Sequence, residues 1–465
     1  MKETEMESFW DFSVWGTIHL AAVLLLSLLV ANMLKRSVKW LEASLIPTSV
    51  LGGLILLVIT GIYSAFTGEN LFNTAFFGGN GINTLEIITY HTLALGFIAS
   101  TFKSGSGKLT KERTVEIFNT GVHTVSTYLI QAVFGLGITM IVALIIKDFF
   151  PAAGVLLPFG YGQGTGQALN YGGIYENEFG FVGGKSFGLT IAALGFLSAS
   201  IGGVIHLNIL KRKGKIKTFG SQESALVSEN VQGDDEIPMQ GSMDKLTVQL
   251  ALVAAGYFLA YGMMYALGLL LPGMKSVIYG FNFLLGVLSA TLIKTVINVL
   301  RKKKIINRQY MNDFLMTRCS NFFFDVMVVA GIAAIRLSVL ERYWGVMLIL
   351  GVVGLVITYA YVLLVSRTLF PKYSEEQFLM MYGMLTGTAS TGIILLREID
   401  GEFKTPAADN MVYQNFPAIV FGFPMMLLAT LAPKKPLLTL IILMVFFAAM
   451  NLILFRSKIF RKKVQ

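Results

Sequence analysis

Eleven stretches of about twenty mostly apolar residues constrain this chain more than any other feature, because each, as a helix, is long enough to cross roughly 30 Å of hydrocarbon. They fall near 14–34, 45–66, 85–102, 122–146, 186–210, 246–271, 276–300, 317–338, 344–366, 410–432 and 436–455. The runs are far longer than the roughly 9–11 residues of a membrane strand and lack period-2 alternation, so a β-barrel is disfavoured. The chain is 54% hydrophobic and 14% charged, against about 25% charged in a soluble domain. An all-α polytopic membrane protein is the expectation.

The net charge of +10 raises the question of nucleic acid. The basic residues instead cluster beside the apolar runs: Lys35, Arg36 and Lys39, then Lys103 to Arg113, Lys211 to Lys217, Arg301 to Arg308, and Arg456 to Lys463. With the N-terminus outside, 29 of the 37 basic residues lie on the cytoplasmic side, the bias that orients membrane proteins. The C-terminus is then cytoplasmic. The acidic start, Met1 to Asp11, does not read as a cleaved signal, so the first span is expected to be retained. Cys319, the one cysteine, excludes an intrachain disulfide.

Residues 214–244 form the only long polar stretch and read as a flexible cytoplasmic linker. Five spans precede it, an odd number, so the second half starts from the opposite side of the membrane. This is the signature of an inverted repeat. The expected organisation is a first repeat at 1–212, a linker at 213–245, an inverted repeat at 246–432, and an appended span with a basic tail at 433–465.

Each half carries one polar, glycine-rich interruption. Gly160-Tyr-Gly-Gln-Gly-Thr-Gly-Gln-Ala168 lies in a predicted re-entrant hairpin at 151–178, and Thr386-Gly-Thr-Ala-Ser-Thr-Gly392 in another at 375–400. Backbone that is not an ordinary apolar helix survives at membrane depth only where protein buries it or where it lines a cavity. Superposing Gly164 on Gly387 gives an offset of 223, which carries the fourth span onto the ninth. Paired interruptions at matching places point to a transport pathway whose hairpins approach from opposite faces.

Alternate glycines suit an extended or broken backbone with exposed N–H and C=O groups; ordinary small-residue helix packing is the competing reading. Gly164, Thr165, Gly166 and Gln167, with Thr386, Gly387, Thr388, Ser390 and Thr391, are the candidate substrate contacts. Hydroxyls serve a cation or a carboxylate equally well, or simply bond back to the preceding helical turn. Gln163, Asn321 and Asp325 are the weaker cation candidates; Arg318, Asn321 and Asp325 share a helical face. Arg397, Glu398 and Asp400 read as an interfacial charge cluster, with a bidentate hold of Arg397 on a substrate carboxylate as the alternative. His91 and His123 lack a second ligand at metal spacing and read as structural. Gly184-Lys185-Ser186 lacks the first glycine of a phosphate loop, where Phe179 stands. No catalytic pair or resident metal motif is visible, so an enzyme is not expected.

Ile46-Pro-Thr-Ser-Val-Leu-Gly-Gly53, the two glycine-rich hairpins, and Leu189-Thr-Ile-Ala-Ala-Leu-Gly-Phe-Leu-Ser-Ala-Ser-Ile-Gly-Gly203 together resemble the bacterial sodium:glutamate symporter family over most of the chain. The resemblance implies two inverted five-helix domains with opposed re-entrant hairpins, residence in the bacterial cytoplasmic membrane, and Na⁺-coupled glutamate uptake. It also implies a homodimer with an elevator-like movement, and no cofactor beyond Na⁺ as coupling ion. The chain departs from the family pattern at the first hairpin, where Gly-Gln-Gly-Thr-Gly-Gln-Ala replaces a Gly-Gly-His-Gly-Thr-like run. It departs again at Ala389-Ser390, in place of a proline-containing variant. Aspartate, citrate or a proton-coupled organic acid are the alternative cargoes, and a passive channel the more distant one.

Overall fold

The computed structural model describes residues 9–103, 110–215, 236–239, 242–401 and 404–459. Among them the regular structure is helical, apart from an isolated bridge between Glu236 and Gln309. Ten helices are long and apolar enough to cross a membrane. The first half holds α1 (Phe12–Ser37), α2 (Lys39–Ala43), α3 (Thr48–Thr67), α4 (Gly81–Phe102), α5 (Lys111–Ile145), α6 (Leu156–Tyr161), α7 (Gly164–Phe179) and α8 (Gly184–Arg212). The second holds α9 (Lys245–Leu270), α10 (Lys275–Gly280), α11 (Asn282–Lys302), α12 (Asp313–Ala333), α13 (Leu337–Leu369), α14 (Ser374–Thr386), α15 (Ala389–Arg397), α16 (Ala407–Tyr413), α17 (Asn415–Leu431), α18 (Pro436–Leu454) and α19 (Arg456–Ile459).

The expected tenth span, 410–432, is two helices rather than one. Pro417 has no N–H to offer the carbonyl four residues back, at Tyr413, and the chain breaks at Gln414 between α16 and α17. The break lies against α5, where a Cβ on Gly121 would come within 2.6 Å of Pro417 Cγ. The expected fourth span is longer than its apolar core, because α5 begins with the polar turn Lys111-Glu-Arg.

The chain divides into two compact units that interleave in sequence: Met1–Thr89, Val115–Gln222 and Val328–Gln465 in one, Tyr90–Thr114 and Glu223–Met327 in the other. The second unit is built on Ile98, Phe102, Val253, Ala290 and Met316, all buried. Asn282 Nδ2 donates to the Tyr90 carbonyl at 2.9 Å. Most of the expected linker lies outside the described residues, but its end is pinned rather than free. Glu236 pairs with the fully buried Lys245 at 2.6 Å and accepts from Asn312 Nδ2 at 2.7 Å.

In the first unit α8 is the spine. Its glycines stand where other backbone must pass: a Cβ on Gly195 would lie 2.5 Å from the Thr386 carbonyl and 3.1 Å from Tyr161 Cδ2. Gly188 faces the Ala168 carbonyl and Gly202 the Tyr382 hydroxyl in the same intimate way. Small residues thus let α8 hold α6 and α7 on one stretch and α14 on another. Leu207 of α8 belongs to one core cluster with Phe378, Tyr382, Leu385 and Leu395, all buried.

Charge is kept to the ends of these elements. Glu86, 6% exposed, pairs with Lys185 at 2.6 Å and Arg336 at 3.0 Å, and Arg336 also reaches Glu176 at 3.5 Å. At the start of α14, Glu375 accepts from His206 Nε2 and Lys215 Nζ, both at 2.9 Å. Burial pushes the Glu375 carboxyl up, but the hydrogen bonds from Lys215 and His206 outweigh it and hold it below the usual glutamate range.

A carboxylate depressed on folding contributes stability above its unfolded pKa and loses it as pH falls through the folded value. Thermal unfolding of the detergent-solubilised protein should therefore show a loss of stability on acidification below about pH 4.3 that Glu375→Gln diminishes. Gly195→Ala is expected to destabilise by about 1–3 kcal/mol through overpacking. Gly137→Ala, where a Cβ meets nothing within 4 Å, is expected to be neutral or to stabilise by up to about 1 kcal/mol. Equal melting temperatures for the two variants would contradict the spine.

Candidate functional site

Both glycine-rich segments are helix–break–helix. The first breaks at Gly162 and Gln163, and α7 then starts at Gly164 with φ +77°, a left-handed conformation that only glycine adopts without strain. The second breaks at Gly387 and Thr388, between α14 and α15. The alternate glycines therefore do not make an extended strand. Gly160 and Gly162 serve close packing, since a Cβ on Gly160 would meet Ala192 N at 2.8 Å and one on Gly162 would strike the Tyr128 ring. Gly164 alone of the four has the conformation that needs glycine.

The two breaks adjoin. A Cβ on Gly164 would lie 3.9 Å from each of Gly387 O, Thr388 Cγ2 and Phe196 Cζ. The N-termini of α7 and α15 thus share one buried neighbourhood. The first N–H groups of a helix have no partner within it and carry the positive end of its dipole. Neither helix has an acidic residue in its first turn to neutralise that end. Gln163 gives α7 no side-chain cap, whereas Thr388 Oγ1 caps α15 by accepting from Thr391 N at 3.4 Å. No charged residue occurs from 151 to 175 or from 377 to 396. Two adjoining helix N-termini among neutral side chains are of the kind that suits an anionic group.

The amides carry the clearest signal. Gln167, 1% exposed, has neither Oε1 nor Nε2 in a hydrogen bond among the described residues, and Gln163 Nε2 is likewise buried without one. Burying an amide without a partner costs about 1–3 kcal/mol, so such groups call for an explanation. An amide offers both a donor for a carboxylate and an acceptor for an ammonium.

The remaining predicted residues divide. Thr165 and Gly166 are buried in the first turn of α7. Thr386 Oγ1 bonds back to the Tyr382 carbonyl at 2.6 Å, so that hydroxyl follows the helical alternative. Thr391 Oγ1 lies 3.2 Å from Thr388 Oγ1. The side chain of Ser390 lies outside the described residues. Asn321 is exposed and Asp325 half-buried on α12, in the other compact unit from the breaks. Asp400 closes its own loop, accepting from Lys404 N at 2.8 Å and Thr405 N at 2.9 Å.

Residues outside the predicted set hold the breaks in place. Tyr128 OH donates to the Gly162 carbonyl at 3.0 Å. Tyr161 OH donates to Gly351 O at 2.6 Å, and Tyr382 OH to Ser198 O at 2.7 Å. Gln131 Nε2 donates to the Leu385 carbonyl at 3.0 Å and to Thr358 Oγ1 at 2.9 Å, while its Oε1 is unpartnered among the described residues. On α7, Tyr171 and Tyr175 reach the Met426 and Ala429 carbonyls at 3.0 and 2.7 Å. A polar amide midway along an apolar run, as Gln131 is, was the available sequence signal.

Gln167→Leu separates a ligand contact from a packing residue. Without ligand it should raise thermal stability by about 1–3 kcal/mol, since it removes an unsatisfied buried amide, while binding at the breaks is lost. A variant that is destabilised and still binds would show that the amide is structural.

Compared with known families and curated proteins, the chain matches no family profile and no curated sequence.

Proposed function

We propose that this membrane protein is a secondary-active transporter that couples inward Na⁺ movement to the uptake of a small carboxylate, with L-glutamate the leading cargo. The observation that carries the reading is the meeting of two broken helices at Gly164 and Gly387, at the N-termini of α7 and α15, with the Gln167 amide, one turn into α7, buried without a partner among the described residues. Helix N-termini at the centre of a membrane protein are suited to an anionic group. An amide beside them is suited to the ammonium and second carboxylate of an acidic amino acid.

Alternating access by inverted repeats is supported by helix bounds. The offset of 223 carries Gly184, where α8 starts, onto Ala407, where α16 starts, and Lys111–Ile145 closely onto Leu337–Leu369. In this reading α6–α7 and α14–α15 are the two re-entrant hairpins, with repeats at 1–212 and 246–432 joined by a cytoplasmic linker and α18 appended. The N-terminus is outside, the C-terminus is cytoplasmic, and the chain works as a homodimer with an elevator-like movement. Each Na⁺ moving inward gains about 2.3 kcal/mol per 100 mV of membrane potential, in addition to its concentration gradient. An anionic cargo then requires more than one Na⁺ for net positive charge movement.

Proteoliposomes with an imposed Na⁺ gradient should accumulate radiolabelled glutamate saturably, against aspartate, citrate and Na⁺-free controls. Thr388→Val removes the cap of α15 and Gly164→Val forbids the left-handed start of α7. Each should lower apparent affinity by at least about tenfold, the value of one hydrogen bond to a charged group. Uptake driven by a proton gradient instead would shift the reading to a proton-coupled organic-acid carrier. Unsaturable flux would make it a channel.

A further inference from the structure

A second concentration of buried polar atoms lies away from the helix breaks of the hairpins, where α5, α14 and α16 come together in the first unit. α5 contributes Thr120 and Thr124, one turn apart, α14 contributes Gln377, α16 contributes Asn410, and Gln414, one turn on from Asn410, caps the end of α16. Thr120, Gln377 and Asn410 are fully buried, and Thr124 and Gln414 nearly so.

The bonds within this seam leave oxygen to spare. Asn410 Nδ2 donates to Tyr373 OH at 2.9 Å and reaches Gln377 Oε1 only at 3.4 Å, while Asn410 Oδ1 has no partner among the described residues. Gln377 Nε2 reaches Thr120 Oγ1 at 3.4 Å. Thr124 Oγ1 directs its one proton to Gln414 Oε1 at 2.9 Å or the Thr120 carbonyl at 3.1 Å. Contacts of 3.4 Å are at the limit of a useful hydrogen bond. Gln377 is therefore held loosely, whereas Asn410 is fixed through its Nδ2 by Tyr373 with its Oδ1 left over, and Gln414 Oε1 is fixed by Thr124 with a lone pair to spare. Gln414 also marks the break that Pro417 imposes between α16 and α17.

We infer that this seam is a binding site for a monovalent alkali cation, Na⁺ under the reading above, ligated by Asn410 Oδ1, Gln377 Oε1 and Gln414 Oε1 with the hydroxyls of Thr120 and Thr124. The inference rests on that reading for the identity of the ion but not for the location of the site. The donors are neutral oxygens of the kind that replace a hydration shell. With no carboxylate among the five, they balance a single positive charge better than a double one. None of the five side chains titrates, so a bound proton is not the alternative occupant.

The test is equilibrium binding of radiolabelled Na⁺ to the purified, detergent-solubilised protein without any carboxylate, with K⁺, Li⁺ and choline as competitors. Labelled glutamate binding is measured in parallel. Wild type should bind Na⁺ saturably, with competition from Li⁺ and none from choline. Asn410→Ala and Thr124→Val should raise the half-saturating Na⁺ concentration by about tenfold or more, the usual cost of disturbing a metal's ligand shell. Asn410→Asp, which keeps an oxygen in place, should retain binding. Thr124→Val preserves shape and serves if Asn410→Ala does not elute as a single species.

Unchanged Na⁺ binding in Asn410→Ala, or in Thr124→Val where the first does not fold, overturns the site, as does a wild type that binds no Na⁺. Na⁺-driven glutamate uptake that survives in the variants unaltered would leave the transport reading standing and remove the seam from it. Na⁺ binding that the variants abolish, in a protein that binds none of the carboxylates, would keep the seam and remove the proposed cargo.

Discussion

An unsatisfied backbone N–H or C=O in hydrocarbon costs several kcal/mol, which is why membrane-spanning chains are almost wholly helical. Three interruptions stand against that rule here: Gly162–Gln163, Gly387–Thr388 and, more mildly, Gln414, whose own N–H and C=O keep helical partners while Pro417 offers none to Tyr413. Each is surrounded by protein, and the surroundings depend on residues with no side chain. α8 approaches both hairpins through Gly188, Gly195 and Gly202, and α5 meets the third break through Gly121. The absent Cβ atoms let backbone shield backbone, and tyrosine hydroxyls and the Gln131 amide then satisfy carbonyls near the breaks. Loss of close packing along α8 would expose the interruptions that the proposed pathway needs.

Charge and polarity are separated along the same elements. Carboxylates and cations sit near the ends of the hairpin helices, where Glu86, Glu176, Lys185 and Arg336 form one group and Glu375, His206, Lys215 and Arg367 another. The breaks themselves carry only amides, hydroxyls and helix N-termini. A fixed guanidinium would hold an anion through strong bidentate bonds. Dipoles and amides hold it more weakly, which fits the proposed transport cycle, in which the cargo must be released.

Much of this was legible in the chain because it follows from short-range rules. Long apolar runs become helices in a membrane, and among the described residues ten of the eleven expected spans hold a helix of that kind, the seventh, 276–300, beginning in the short α10 before Phe281. The tenth run, 410–432, is uniformly apolar enough to read as one helix, yet the missing N–H of Pro417 divides it. Alternating glycines at 160–166 suggested extended backbone, whereas the close approaches of Ala192 and Tyr128 account for two of them. Arg318, Asn321 and Asp325 share a helical face by spacing, but spacing within one helix does not say which compact unit receives it. Gln131, Asn410 and Gln414 lie from 33 to 290 residues of sequence away from their partners Thr358, Gln377 and Thr124, so no local pattern links them.

The sequence by itself determined a helical membrane protein, clusters of lysine and arginine beside its apolar runs, and two glycine-rich interruptions at a common spacing. Those properties arise from hydropathy, charge and backbone freedom, which act within a few residues of one another. Only the tertiary structure decided that the interruptions adjoin, that the Gln167 amide is buried without a partner among the described residues, and that Gln414 joins Thr124 in a seam of neutral oxygens. Contacts of that kind depend on which helices pack together, and close packing is set by the shapes of distant surfaces rather than by any local pattern.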